Sequence, residues 1–342
     1  MTIKEVARMA GVSSAAVSRY FNGGPLSKEK REKIARAIEE TGFRPNLMAK
    51  TMRTGKVRQV GIILPRIFSE SANQLMDGIA GELLEKDYLT LLGYSDTRQD
   101  RELQYLDLMQ SNSVAGIILM GTTLSDIKRL SLENCPLPLV ITGQKFEGLN
   151  CVYSDDRNGV REMVERMIRK GRKRFAYIGV FEEDRAAGYC RREGLQEALR
   201  EAGLDADNVP RRVANFTAES GYEAMMGLLA EDPAIDAVMC ATDVIAHGAM
   251  KALKEAGRSI PGDVSIAGVG DNWADLMSEP TLSTVKLQQR QCGREAARML
   301  LRLIGEEADD DSRGGDRENS AGSGNGAEHI MLGYTIIERN SI

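Results

Sequence analysis

The chain has 342 residues, 42% hydrophobic and 28% charged, with a net charge of −5. That is ordinary for a globular protein and enough for two or three domains. No apolar run approaches the ~20 residues of a membrane span, and acids and bases run through the first twenty residues, so neither a membrane segment nor a secretory signal is expected and the chain reads as cytoplasmic. The five cysteines form no C-x-x-C pair, and the two histidines, His247 and His329, have no carboxylate or thiol at ligand spacing. Neither a disulfide framework nor a metal site is expected.

Charge is unevenly spread. Residues 1–58 carry +8, and the remainder carries −13. A basic arm on an acidic body points to a polyanion as the arm's partner. Thr2-Ile3-Lys4-Glu5 is a capping box, and Ile3, Val6, Ala7 and Ala10 place one narrow apolar face on the helix it starts. Gly11 ends that helix, and Ser13 caps a second over 14–21. There Val17, Tyr20 and Phe21 face inward, leaving Ser14, Ala15, Ser18 and Arg19 outward. Ser27 caps a third helix through Thr41, with Ile34, Ala35 and Ile38 inward and Gly42 closing it. Two short helices around a tight glycine turn, backed by a third, predict a helix-turn-helix unit. Small residues at the start of its second helix allow entry into the ~12 Å major groove of duplex DNA.

The run I-K-E-V-A-R-M-A-G-V-S-S-A-A-V-S-R-Y-F-N, followed by L-S-K-E-K-R-E-K-I and G-F-R-P-N-L-M-A-K-T-M-R, closely resembles the DNA-binding head of the lactose-repressor (LacI/GalR) family. The resemblance implies that Ser14 and Ala15 read bases, with Thr2, Ser13, Ala16, Ser18, Arg19, Asn22, Ser27 and Lys30 adding base or phosphate contacts. It also implies a hinge helix within 46–58, where Asn46, Ala49, Met52 and Arg53 meet DNA and Met52 wedges into the minor groove. The head is thus expected over 1–45 and the hinge or linker over 46–58.

From Val60 onward, short apolar runs recur: VGIILP, LTLLGY, AGIILMG, PLVITG, FAYIGV, AVMCAT and SIAGVG. Amphipathic helical patterns lie between most of them, which predicts parallel sheet covered on both faces. Seven such units fit two doubly wound subdomains with a break near Ser154-Asp155-Asp156. The expected fold is therefore an all-α head on an α/β, periplasmic-binding-protein-like body over 59–342. One subdomain is expected over about 59–154 plus 283–304, the other over about 155–282 plus 329–342, and a flexible loop over the acidic, Gly/Ser-rich 305–328.

No phosphate-loop lysine motif, nucleophile elbow or H-E-x-x-H occurs, and AGVGDN (267–272) has the wrong glycine spacing for a dinucleotide fingerprint. Neither enzymatic activity nor a cofactor is expected. Ligands of open α/β sheets bind beyond the carboxyl ends of strands. That rule selects Ser69, Gln144, Arg185, Arg191, Asp243 and Gly270-Asp271-Asn272, with Phe216 or Trp273 to stack on a sugar ring. The resemblance implies effector contacts at Arg191, Phe216, Thr242 and Asp243. It departs at Gly270, where the family usually has an aspartate, so Asp271 or Gln144 is expected to take over. V-I-T-G-Q and G-V-G-D-N look most like sucrose- and trehalose-type repressors. Together these readings imply a homodimeric repressor of a carbohydrate operon, bound to double-stranded operator DNA and switched by a sugar or sugar phosphate. A dimer rather than a tetramer is expected, because no C-terminal heptad helix follows. The competing reading is a periplasmic-type sugar-binding protein without a DNA role.

Overall fold

The computed structural model describes residues 2–21, 23–43, 57–67, 69–111, 114–121, 123, 125–305 and 326–342. The chain forms two compact units, Met1–Arg58 and Gln59–Ile342. Asn22, Asn46, Ala49, Met52 and Arg53, and most of the expected 305–328 loop, lie outside the described residues.

The first unit holds α1 (Ile3–Met9), α2 (Ser14–Phe21) and α3 (Lys28–Thr41). The capping box closes as expected: Glu5 N donates to Thr2 Oγ1 at 3.3 Å and Thr2 N donates to Glu5 Oε2 at 2.7 Å. Ser13 Oγ accepts from Ala16 N at 3.2 Å, and Ser27 Oγ accepts from Lys30 N at 3.4 Å. Gly11 and Gly42 take left-handed φ of 63° and 61°, where a side chain would be strained. The core is Val6, Ala7, Ala10, Ala16, Val17, Ile34, Ala37 and Phe43. Ala35 and Ile38 of α3 are only half-buried, so Ala37 takes the inward place expected for Ala35.

The second unit runs β1 (Gln59–Leu64), α4 (Glu70–Glu85), β2 (Leu89–Tyr94), α5 (Gln99–Ser111), β3 (Gly116–Met120), α6 (Asp126–Glu133), β4 (Leu139–Thr142) and β5 (Cys151–Ser154). It continues with α7 (Asp156–Arg169), β6 (Phe175–Gly179), a π-helical turn (Arg185–Cys190), α8 (Arg191–Glu201), β7 (Arg211–Val213), α9 (Ala218–Glu231), β8 (Ala237–Cys240) and α10 (Asp243–Glu255). Last come β9 (Ser265–Val269), α11 (Ala274–Met277), β10 (Ser283–Leu287), α12 (Gln289–Ile304), β11 (His329–Leu332) and β12 (Tyr334–Ile337).

Two sheets result, ordered β11-β5-β4-β3-β1-β2 and β12-β10-β9-β8-β6-β7. All pairings are parallel except β10 with β12. Strands β1, β3, β4, β6, β8 and β9 are almost wholly buried, as strands covered by helices on both faces must be. The chain crosses between sheets three times, each time through one residue: Asp155 after β5, Gln288 after β10 and Gly333 after β11. Asp155 N donates to Leu332 O at 2.9 Å, tying the first crossing to the third.

The crossings correct the expected subdomain limits. Residues 283–287 belong to the second sheet, because β10 pairs with β9 and Val285 and Leu287 enter its core. Residues 329–332 belong to the first, because β11 pairs with β5 and Ile330 and Leu332 pack against that core. Only α12 returns to the first sheet, where it packs against α4 through facing glycines. A methyl at Gly78 would lie 2.0 Å from Arg290 O, and one at Gly293 would lie 2.1 Å from Leu75 O. Gly78→Ala must push the two backbones apart, and we expect it to lower unfolding free energy by about 1–3 kcal/mol in urea titration.

Candidate functional site

Two surfaces carry chemistry. On the first unit, Thr2, Ser13, Ser14, Ala15, Arg19, Ser27 and Lys30 are exposed and Ser18 is half-exposed. Ser14, Ala15, Ser18 and Arg19 share the outer side of α2, leaving one short face of small side chains with a guanidinium near its end. Ala16 is different. It is 4% exposed and its methyl is part of the head's core, one residue beyond the edge of the outer face, so it offers no side-chain surface to a partner.

The second surface is a cleft between the two sheets, with a cavity of about 210 Å³. The first sheet contributes Arg66 after β1, Ser69 at the cap of α4, and Thr142 and Gln144 at the end of β4. From the second come Asp156, Asp184, Arg191, Phe216, Thr242, Gly270 and Asn272. Leu75, Met120, Val269 and Leu287 add apolar wall. An apolar lining with a few convergent donors and acceptors is the make-up of a small-molecule site.

Gln144 bridges the sheets. Its Nε2 donates to Asp184 Oδ1 at 3.0 Å and to Gly121 O at 3.3 Å, while its Oε1 accepts from Arg185 N at 3.2 Å. Arg191 is buried and donates from Nε to Asp156 Oδ1 at 2.7 Å and from Nη1 to Ala241 O. Burial pushes the Asp156 carboxyl above its ordinary pKa, against the lowering influence of Arg191. Burial likewise raises Asp184, whose Oδ1 caps the π-helical turn by accepting from Ala187 N at 3.0 Å. Phe216 sits at a left-handed φ of 56°, with the Arg66 guanidinium 3.5 Å over its ring centroid. The Ser69 hydroxyl accepts from Ala72 N at 3.4 Å.

Ser69, Gln144, Arg191 and Phe216 thus come together, and so do Thr242, Gly270 and Asn272. Asp243 and Asp271 do not line the cavity. Asp243 is buried beneath it, accepting from Thr284 Oγ1 at 2.6 Å and Asn272 N at 3.4 Å. Burial and the facing Asp275 carboxylate hold its pKa well above the usual range. Asp271 is bound to Arg339 at 2.5 Å and Lys286 at 2.9 Å. Trp273 is 72% exposed and outside the cavity wall, whereas Phe216 lines it. Sequence reasoning missed Arg66, Thr142 and Asp184. Arg66 and Thr142 end strands by the very rule that found Gln144, whereas Asp184 lies five residues past β6 and carried no signal.

The raised Asp243 carboxyl has a consequence for stability. Folded chains keep a proton there that unfolded chains release near 3.8. Stability therefore falls as pH rises from about that value through the higher folded-state pKa. Asp243→Asn is expected to flatten this decline in denaturant titrations run across pH.

Residues 2–46 match the model described as bacterial regulatory proteins, lacI family, and residues 164–318 match a periplasmic binding protein-like domain. The chain is 33% identical over 309 residues to the HTH-type transcriptional regulator RegA of Clostridium saccharobutylicum, covering 89% of this chain and 92% of that protein. It is 32% identical over 318 residues to the HTH-type transcriptional regulator CelR of Thermobifida fusca, covering 89% and 92%. A solved CelR–cellobiose complex superposes with a TM-score of 0.73 at 26% identity, covering 100% of this chain and 99% of that one. With the head and the cleft on one chain, the protein belongs to the LacI family of DNA-binding bacterial transcriptional regulators.

Proposed function

We propose that the protein is a homodimeric repressor of carbohydrate-utilisation genes, its operator affinity set by a sugar or sugar phosphate held between the two sheets of the body. The observation that carries this reading is the cleft: polar groups from both sheets converge on one cavity beside a stacking ring, Phe216. The solved CelR–cellobiose complex, 26% identical to this chain, supports a carbohydrate here. A cavity of about 210 Å³ lies below the ~300–1,000 Å³ of drug-sized ligand sites. A single sugar ring suits it as it stands, and a disaccharide requires the sheets to part.

Single-residue crossings make that parting a rotation. A ligand that prefers one rotational state by about 1.4 kcal/mol shifts DNA occupancy tenfold. On DNA, two heads bind half-sites about one helical turn apart. Ser14, Ala15, Ser18 and Arg19 face the major groove, and Lys30 and the Ser27 cap lie toward phosphates.

Mobility shift of the full-length protein on its own promoter region, with and without a sugar panel, tests this. Affinity is expected to fall steeply with salt, as counterion release requires, and at least one sugar is expected to change it tenfold or more. A flat salt response, or indifference to every sugar, would count against the reading. Arg19→Ala is expected to weaken operator binding by about 1–3 kcal/mol while leaving sugar affinity in calorimetry unchanged.

A further inference from the structure

We infer that the ligand of this cleft is an anionic carbohydrate, a sugar phosphate or sugar acid, and that Arg66 reads its charge. The inference rests on the cleft being a carbohydrate site, as proposed above. Other charged groups in the wall are engaged within the protein. Arg191 is paired with Asp156 and bonded to Ala241 O, Asp184 accepts from Ala187 N and Gln144 Nε2, and Glu70 accepts from Gln74 Nε2 at 3.3 Å.

Arg66 is half-buried in the same wall, and no hydrogen bond or ion pair joins it to any described residue. The Phe216 ring lies under it, its centroid 3.5 Å from the guanidinium carbon. Stacking covers a face of the guanidinium and leaves its N–H edges unspent. That planar fork fits the two oxygens of a phosphate or carboxylate, and an arginine stays charged throughout the physiological range. Phe216 therefore acts as a rest that pre-orients the fork, which lowers the ordering cost of ligand capture.

A second observation lies close by. Thr142 is 1% exposed and lines the cavity, yet its hydroxyl has no hydrogen-bond partner among the described residues. A buried hydroxyl without a partner is costly and rare. A cation without an acceptor and a hydroxyl without a partner, on one cavity, are complementary to an acidic group on a polyhydroxyl ring. Asp184 and Glu70 are the carboxylates that oppose an incoming anion. Burial raises the Asp184 pKa toward the neutral form, against the lowering influence of the Ala187 amide, and its donors Gln144 Nε2 and Ala187 N spread the charge it carries.

The test is isothermal calorimetry on the full-length protein with matched pairs: glucose, glucose 6-phosphate and glucuronate; sucrose and sucrose 6-phosphate; trehalose and trehalose 6-phosphate. At least one anionic member should bind tenfold or more tightly than its neutral partner. Glucuronate against glucose 6-phosphate tells carboxylate from phosphate. Arg66→Gln, which keeps donors but loses the charge, should erase the preference, and Arg66→Lys should restore part of it. Circular dichroism of both variants should keep the wild-type secondary structure, so that a lost preference is not a lost fold. If a neutral sugar binds as tightly as its anionic partner, or if Arg66→Gln keeps the preference, the charge assignment falls and the carbohydrate reading stands. If no member of any pair binds, the carbohydrate reading falls and takes this inference with it.

Discussion

Three single-residue passages between the two sheets are the constraint on which the body depends. Asp155, Gln288 and Gly333 are too short to let the sheets slide or drift, so the cleft can only open by turning about that narrow bundle. The bundle is stitched to itself: Asp155 N reaches Leu332 O, and Gln288 Nε2 donates to Thr335 Oγ1 at 3.4 Å. Strand order then places the carboxyl ends of β1 and β4 opposite those of β6, β8 and β9, and the site residues occupy the loops that follow. Position in the topology, more than any motif, makes them neighbours.

The energetics of the cleft follow from what is buried there. Arg191 and Asp156 are both out of solvent, and a buried pair of this kind contributes little net stability, although losing one partner is expensive. Its value lies in fixing the start of α7 and the start of α8 against the end of β8. Contacts across the cleft are of a softer kind: the Gln144 side-chain amide, bonded to Asp184 and to Arg185 N, and the cation of Arg66 stacked on Phe216. Each is worth on the order of 1 kcal/mol, small enough for a ligand to replace. A rigid floor with a weakly latched mouth is what a ligand-driven rotation needs.

The head was legible because its signals are local. A capping box at Thr2 and Glu5, caps at Ser13 and Ser27, and left-handed glycines at 11 and 42 each act within four residues, and each is present in the fold. Ala16 went astray because its neighbours on both sides, Ala15 and Val17, face opposite ways, and a small residue carries no mark of its side. In the body, buried central strands read clearly as apolar runs. The edge strand β7, with sequence RRV, and the short β5, β10 and β11 did not, because alternation over three to five residues is too brief to separate strand from loop. Swapping β10 and β11 between sheets followed from the same brevity: only long-range pairing decides which ladder a short strand joins. Strand-end logic selected Ser69, Gln144 and Arg191, with Phe216 beside them, and all four line the cavity. It could not tell which of Asp271 and Asn272 does, since the turn at Gly270 (φ 148°) sets their directions, nor that Asp243 lies beneath the cavity.

The chain contains one tryptophan, and it is Trp273. Its indole lies open to water at the start of α11, adjacent in sequence to Asn272, which lines the cavity and whose backbone N donates to Asp275 Oδ2 at 2.8 Å. The protein therefore has its single indole beside the cavity. Its emission wavelength, uncontaminated by a second indole, turns an ordinary spectrofluorometer into a label-free recorder of events at that corner of the body.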